Sequence, residues 1–240
     1  MKKLLSIVFC AATVSVFGET TVSLGQVGVT VITNSLKNTI VAVSYNDLAG
    51  GTGMVVSNFV KTTNLTTDDQ LAIFTNGEYT TWTLRQNGTA GPKYWEKNEK
   101  AFKVGMDGKL TVESGEAASD ITRAVGTGIW LVRQNPTDKD GKAIPFYIYG
   151  RPVSDPVSHI SANTWTLVGN PLQDQVTIGP STVSGVQTGD QIVTAAEDGR
   201  LHYYTFTGSQ WTHPITIGPG IGFWIKTQAE ATITWMASKE

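Results

Sequence analysis

The chain has 240 residues, of which 16% are charged, with 18 Lys and Arg against 20 Asp and Glu. This mild acidity is spread along the chain and argues against a nucleic-acid partner, because nucleic-acid-binding proteins cluster basic residues. The only cysteine, Cys10, lies in a segment that we expect to be removed. The remaining chain would therefore hold no disulfide and no cysteine-bound metal.

The first 18 residues have the pattern of a secretory signal peptide. Lys2 and Lys3 supply a basic start, and residues 4–17 form an apolar run of suitable length. A retained membrane anchor needs about 18 or more apolar residues, so we expect cleavage near Gly18. The mature protein would then be secreted, periplasmic or on the outer cell surface, with no membrane span.

The rest of the chain indicates an all-β protein. Short runs rich in Val, Ile, Thr and aromatic residues recur, among them VGVTVIT, YTTWTL, GIWLVR, TWTLVG, LHYYTF and GFWIK. Five Asn-Gly or Asp-Gly pairs separate these runs and favour the tight turns of antiparallel hairpins. The pairs begin at Asn76, Asn87, Asp107, Asp140 and Asp198.

Similar segments occur twice in the same order, which predicts an internal duplication. NTIVAVSYND at Asn38 matches NTWTLVGNPL at Asn163 in pattern, and TTDDQLAIF at Thr66 matches QTGDQIVTA at Gln187. GTGIWLV then matches GPGIGFWIK, with Gly126 and Gly128 aligned to Gly220 and Gly222. The fold class that we expect is two related antiparallel β units, packed as a sandwich or a partly open barrel.

The two copies differ in length. The first carries about 27 extra residues between its Asp-Gln and Gly-x-Gly motifs, in the most charged part of the chain. We assign residues 19–155 to the first β unit, with a charged insertion near 88–120, and residues 156–240 to the second. The insertion is either a solvated loop with a small hairpin around Asp107-Gly108 or a recognition loop.

GPGIGFW, residues 218–224, has glycines that suggest phosphate binding at first sight. A dinucleotide motif needs G-x-G-x-x-G between a strand and a helix, but Phe223 holds the sixth place counted from Gly218. The following residues have strand composition. We therefore expect the glycines to turn the backbone into a sheet, with Trp130 and Trp224 as matched core anchors.

Motifs for catalysis are sparse. The three histidines, His159, His202 and His213, are far apart, and the chain has no H-E-x-x-H and no G-x-S-x-G. TDKDGK at 137–142 departs from the calcium-loop spacing and is more typical of a tight turn. We expect no enzyme activity, no metal and no cofactor. Two close carboxylates of a glycoside-type hydrolase remain the less favoured alternative, since sequence does not exclude them.

The seven tryptophans supply the candidate ligand-binding residues, because flat aromatic rings stack on sugars. Trp130, Trp224 and Trp235 lie in apolar strands and are expected in the core. Trp82, Trp95, Trp165 and Trp211 have polar, Thr-rich or Gly-rich neighbours and are better candidates for exposure. The predicted binding residues are Tyr94, Trp95, Trp82 and Trp211, with local packing of the insertion as the alternative for Trp95.

The second half resembles a repeat of exported bacterial proteins, W-x-L-(I/V)-G-N-P followed by P-G-x-G-F-(F/W). Residues 165–171 match its opening and residues 219–224 match its close. With GIWLVRQNP at 128–136 and PFYIYG at 145–150, the chain is similar to uncharacterised secreted β-repeat proteins of Verrucomicrobia-like bacteria. The resemblance implies secretion and a β-repeat fold, and it implies no activity.

These observations favour a non-catalytic exported protein with a structural, adhesive or assembly role. The duplication, the lack of catalytic motifs and the high Thr and Gly content support this interpretation. A polysaccharide or a surface protein would be its partner, and exposed strand edges could allow self-assembly. The alternative is a glycan-binding module that uses exposed aromatic side chains.

Overall fold

A computed structural model describes residues 27–33, 37–48, 51–55, 65–75, 78–86, 88–97, 102–104, 110–112, 122–196 and 200–236. All regular elements in these ranges are β-strands, and all of their pairings are antiparallel, so the all-β prediction is confirmed. None of the sheets in these ranges closes on itself. The described residues also contain no helix long and apolar enough to span a bilayer.

Among the described residues, the first half of the chain contributes eleven strands and the second half contributes nine. The strands of the first half are β1 (Gly28–Ile32), β2 (Asn38–Ala42), β3 (Met54–Val55), β4 (Gln70–Thr75), β5 (Glu78–Gln86), β6 (Lys93–Lys97), β7 (Phe102–Val104), β8 (Leu110–Val112), β9 (Thr122–Arg123), β10 (Gly128–Val132) and β11 (Phe146–Gly150). Those of the second half are β12 (Val157–Ile160), β13 (Trp165–Gly169), β14 (Val176–Ile178), β15 (Val183–Ser184), β16 (Gln191–Ala195), β17 (Leu201–Thr205), β18 (Ile215–Ile217), β19 (Gly222–Lys226) and β20 (Ala231–Thr234).

Corresponding strands pair in the same order in the two halves. The first half has a sheet of order β2-β10-β4-β5-β6, and the second half has one of order β13-β19-β16-β17. The first and last strands of each half also pair, as β1 with β11 and β12 with β20. The short pair β3 and β9 likewise corresponds to β14 and β18. We call two residues equivalent when they hold the same place in corresponding pairings.

The registers give the equivalences residue by residue. Trp130 lies opposite Ala72, and Trp224 lies opposite Val193, so the two tryptophans are equivalent. Trp130 also lies opposite Ile40, whereas Trp224 lies opposite Leu167. The sequence alignment that started at Asn38 and Asn163 is therefore wrong by two residues. The residues paired with the two tryptophans show that Ile40 is equivalent to Leu167. The shared Asn-Thr dipeptides at Asn38 and Asn163 are therefore not at equivalent positions.

Each half encloses its own hydrophobic core. The first core lies between the β1–β11 pair and the five-stranded sheet, and it includes Ile32, Leu71, Ile129, Leu131 and Phe146. The second core lies between β12, β15 and β20 on one side and the four-stranded sheet on the other. Its members include Ile160, Ile192, Phe223, Ile225 and Ile233. Each half is thus a small sandwich whose inward residues alternate along its strands.

The extra length of the first half falls in two places. Leu84 lies opposite Trp95, and Phe206 forms the matching bridge to Trp211. One part of the extra length lies between Leu84 and Trp95, and the rest lies between Glu96 and β9, where β7 pairs with β8. That pairing brackets Asp107-Gly108, which themselves lie outside the described residues. The predicted insertion near 88–120 therefore consists of two separate additions.

One of the predicted tight turns is directly visible. Gly141 adopts a φ of 75°, and the Asp138 carboxylate accepts the backbone N–H groups of Asp140 and Lys142 at 2.9 Å each. The turn at 137–142 thus has the form that the sequence predicted. The pairs at Asn76 and Asp198 lie outside the described residues.

Candidate ligand-binding groove

A groove of about 310 Å³ lies between the main sheets of the two halves. Its apolar wall consists of Ile40, Trp130, Val193, Ala195, Leu201 and Trp224. Three polar residues, Lys37, Asn38 and Thr194, complete the lining. We call this feature the tryptophan groove, and its volume lies at the lower end of the range for small-ligand sites, roughly 300–1,000 Å³.

Strand alternation places both tryptophans on the groove side of their sheets. Trp130 stands between Ile129 and Leu131, which point into the first core. Trp224 stands between Phe223 and Ile225, which point into the second core. Because successive side chains of a strand point to opposite faces, each tryptophan faces away from the core of its own half.

Aromatic contacts from the first half cross to the second. The Phe74 ring meets the Trp224 ring edge-on, with centroids 4.8 Å apart and an interplanar angle of 90°. The Tyr79 ring lies 6.0 Å from Trp224 and 6.3 Å from Trp130, again in edge-to-face arrangements. Such pairs contribute about 0.5–1.5 kcal/mol each beyond their burial. This cluster connects the two sheets at one end of the groove.

Glycines allow the two halves to approach closely beside the groove. A Cβ on Gly128 would lie 2.7 Å from Leu167 Cγ, and one on Gly222 would collide with Ile40. The Ala42 N–H donates to Gly220 O at 2.9 Å, and the equivalent Gly169 N–H donates to Gly126 O at 3.0 Å. The contact between the halves is therefore nearly symmetric, and each half supplies its Gly-x-Gly segment to the other.

These contacts define what the glycines of GPGIGFW do. Gly126 and Gly220 adopt positive φ values of 86° and 69°, which open the turn into the strand. Gly128 and Gly222 begin β10 and β19, where any side chain would meet the other half. The prediction that the motif enters a strand is confirmed, and close packing between halves is the additional reason for glycine.

The part of the groove that the structure describes carries little charge. Among its described lining residues, Lys37 is the single ionisable side chain, and it is exposed. Its backbone is fixed because Lys37 O accepts the Arg133 N–H at 2.7 Å. Partial burial raises the pKa of the Tyr79 phenol, at the end of the groove, above its usual value.

The exposure predicted for three tryptophans is wrong. Trp82 and Trp95 are each only 1% exposed and belong to the first core, and Trp211 lies in the second core against Phe206. On β5 and β6 the neighbours of Trp82 and Trp95 point to the opposite face of the sheet, and the local composition does not separate the two faces. Buried rings offer no face to a sugar, so these residues do not form a surface platform.

Tyr94, the remaining predicted binding residue, is 39% exposed. It lies on β6 opposite Arg85, whose guanidinium pairs with Asp68 and Glu96. Tyr94 does not line the tryptophan groove, so the structure does not bring the four predicted residues together at one site.

Of the three tryptophans expected in the core, one is buried there and two are not. Trp235 is buried, and its Nε1–H donates to Ser158 Oγ at 2.8 Å. Trp130 and Trp224 are half-buried and line the groove, so their prediction as core anchors is wrong. Strand alternation could have predicted their orientation, because each tryptophan stands between two aliphatic or aromatic core residues and so points to the opposite face. Leu201 and Tyr79 carried no comparable signal in the sequence.

A second depression, of about 430 Å³, lies on edge strand β12 and is lined by His159, Ser161 and Glu230 among others. It is larger than the tryptophan groove, but most of its lining residues are polar. Nowhere in the described ranges do three or more His, Cys, Asp or Glu side chains gather as a metal site requires. The tryptophan groove is the depression of the two that has an apolar, aromatic wall, so it is the candidate ligand site.

Comparison of the chain with family models, curated proteins and solved structures gives no match. The resemblance to secreted β-repeat proteins stays a prediction, and the groove is the structural feature that bears on function.

Proposed function

We propose that this chain is a non-catalytic exported β protein with an adhesive role, and that the tryptophan groove binds a glycan. Its location would be the periplasm, the outer cell surface or the extracellular space, after cleavage near Gly18. The observation that carries the proposal is the groove itself, with two tryptophan rings in its wall and polar residues beside them.

This combination of side chains suits carbohydrate. A sugar ring presents C–H groups on its faces and hydroxyls around its edge, so it needs an apolar wall next to hydrogen-bonding groups. Trp130 and Trp224 would supply the wall, and Asn38 and Thr194 would reach the hydroxyls. Recognition would then proceed by binding alone, as adhesion requires.

We also propose that the two β units arose by duplication of one ancestral unit. The support is the shared strand order together with matching details such as two buried aspartates. Asp69 Oδ1 accepts the Gln134 N–H at 2.6 Å, and Asp190 Oδ1 accepts the Gln228 N–H at 2.9 Å. A duplicated unit places two similar surfaces face to face, and the groove lies between them.

Intrinsic tryptophan fluorescence of the purified protein tests the adhesive function. We expect a saturable change with at least one member of a panel of mucin, plant and microbial polysaccharides. Trp130→Ala should abolish the change, whereas Tyr94→Ala, on an exposed surface outside the groove, should preserve it. Circular dichroism would establish that both variants fold.

No response to any polysaccharide would contradict the proposal. A response lost in Tyr94→Ala and kept in Trp130→Ala would move the site to β6, as the sequence first suggested.

A structural role through self-assembly is the second candidate, favoured by one observation. Strand β17 is the last strand of its sheet, and it exposes Leu201 and Tyr203, with Tyr203 68% exposed. An edge of this kind can accept another strand. Light scattering at increasing concentration would test it: assembly that Tyr203→Lys suppresses supports this role, and a strict monomer contradicts it.

A further inference from the structure

The two sides of the tryptophan groove are equivalent by strand register but differ in what fills them. Phe74 lies two residues beyond Ala72, and Ala195 lies two residues beyond the equivalent Val193. Phe74 is paired with Tyr79 across its hairpin, and Ala195 is paired with Leu201 in the same way. The first half thus presents two aromatic rings where the second presents a methyl group and a leucine.

The larger pair fills its side of the groove. Phe74 and Tyr79 reach across to Trp224 of the other half, with ring centroids 4.8 Å and 6.0 Å away. On the other side, Ala195 and Leu201 line the open volume together with Trp130. A further ring is missing there, because Asn38 holds the position equivalent to Trp165. We call the equivalent place on the Phe74 side the sister site, and there the Phe74 and Tyr79 rings pack against Trp224. The open volume therefore lies where the sister site holds aromatic rings.

The size of the opening fits one ring. At roughly 30 Å³ for each water displaced, 310 Å³ corresponds to about ten waters. A single sugar residue occupies less space than ten waters, because its bonded atoms lie closer together than separate waters do, so the opening has room for one ring. Polar groups at this side also distinguish it from the sister site, since Lys37 and Asn38 line it.

We propose that the open side of the groove binds one hexuronic acid residue of an acidic glycan, with the ring against Trp130 and the carboxylate paired with Lys37. This inference rests on the proposed glycan-binding function and adds the ligand class. Lys37 supplies the charge complementarity, because it is the one ionisable side chain among the lining residues that the structure describes. Asn38 and Thr194 would bind the ring hydroxyls.

Binding experiments on the full protein test the ligand class. Fluorescence titrations would compare polygalacturonate, alginate and hyaluronan with methyl-esterified polygalacturonate, a neutral glucan and phenylalanine amide. We expect at least one hexuronate polymer to bind, and binding to weaken tenfold or more on esterification and in Lys37→Met. Added salt should weaken it as well, because the pair is exposed to solvent.

A substitution that copies the residue of the other half tests the location of the binding site. Ala195→Phe introduces the residue that fills the sister site, so it should abolish hexuronate binding while leaving thermal unfolding unchanged, since Ala195 is exposed. Tyr147→Ala, on the β1–β11 pair outside the groove lining, is the matched control and should bind normally.

Four outcomes would overturn the inference. Equal binding of the acid and its ester, or unchanged binding in both Lys37→Met and Ala195→Phe, would leave the glycan-binding function standing and refute the ligand class. Preference for phenylalanine amide would make the groove a site for aromatic side chains of a peptide. Failure of every glycan to bind would refute the proposed function together with the inference.

Discussion

The two halves of the molecule share their framework and differ in their groove surfaces. Equivalent tryptophans, Trp95 and Trp211, close the two cores, and equivalent aspartates, Asp69 and Asp190, anchor the same backbone turns. At the groove, by contrast, Phe74 and Tyr79 correspond to Ala195 and Leu201. The core tryptophans and the buried aspartates are matched, whereas the groove positions other than Trp130 and Trp224 differ, as expected if the groove carries the function.

The largest expected effect comes from the matched core tryptophans. Trp95→Ala and Trp211→Ala should each destabilise the protein by about 3–5 kcal/mol, because each removes a buried ring and leaves a cavity. Urea unfolding would measure both free energies. Losses within about 1 kcal/mol of each other would support equivalence of the two sites, whereas a negligible loss in either variant would refute its core position.

The contact between halves should be the next most sensitive feature. A Cβ at Gly222 would collide with Ile40 and lie 2.8 Å from Val168 O, so Gly222→Val should cost about 3 kcal/mol. Gly179→Ala is the matched control, since nothing lies within 4 Å of its Cβ position. Thermal unfolding of both variants measures the difference. Equal stability would mean that the halves do not touch at Gly222.

The two buried aspartates should contribute different amounts to stability, because their surroundings differ. Asp190→Ala leaves the N–H groups of Gln187 and Gln228 without their acceptor and should cost about 2 kcal/mol. Asp69→Ala should cost about 1 kcal/mol more, because Asp69 also stabilises the charge of the nearby Arg133. Burial lowers the pKa of Arg133, and the negative charge of Asp69 acts in the opposite direction. Denaturant titration of both variants decides the order, and a larger loss for Asp190→Ala would contradict it.

The smallest expected effect is a pH dependence at Tyr79. Burial raises the pKa of its phenol, so the folded state favours the neutral form. This contribution to stability is complete below the unfolded pKa near about 10 and is lost as pH rises through the higher folded value. Tyr79→Phe should therefore lose less stability than the unaltered protein above that pH. Urea unfolding of both proteins across this pH range measures the difference.

Much of the framework could be predicted from the sequence. Turn pairs and alternating β-branched runs predicted antiparallel strands, and Gly126 and Gly220 were correctly identified as entrances to strands. The shortest strands, such as β3, β9 and β15, escaped because two residues give no periodicity. Their positions depend on pairing partners that are distant in sequence.

The groove could not be predicted in the same way. Trp95 has polar neighbours and is buried, whereas Trp130 has apolar neighbours and faces the groove. Composition averages the two faces of a strand, so it misassigns a side chain whose face differs from that of its neighbours. The alternation of side chains along the strand is the better guide to which face a residue lies on. It does not tell which face of the first half is covered by the second half. That information lies in the packing between the halves.

We propose that the groove is open on one side because a ligand occupies the space that an aromatic pair fills on the other side. A crystal structure of the protein with a bound hexuronate oligosaccharide would decide this. We expect ordered density for one sugar ring against Trp130, with its carboxylate at Lys37 and the Phe74 side of the groove unchanged. Density at any other surface, with the groove empty, would refute the proposal.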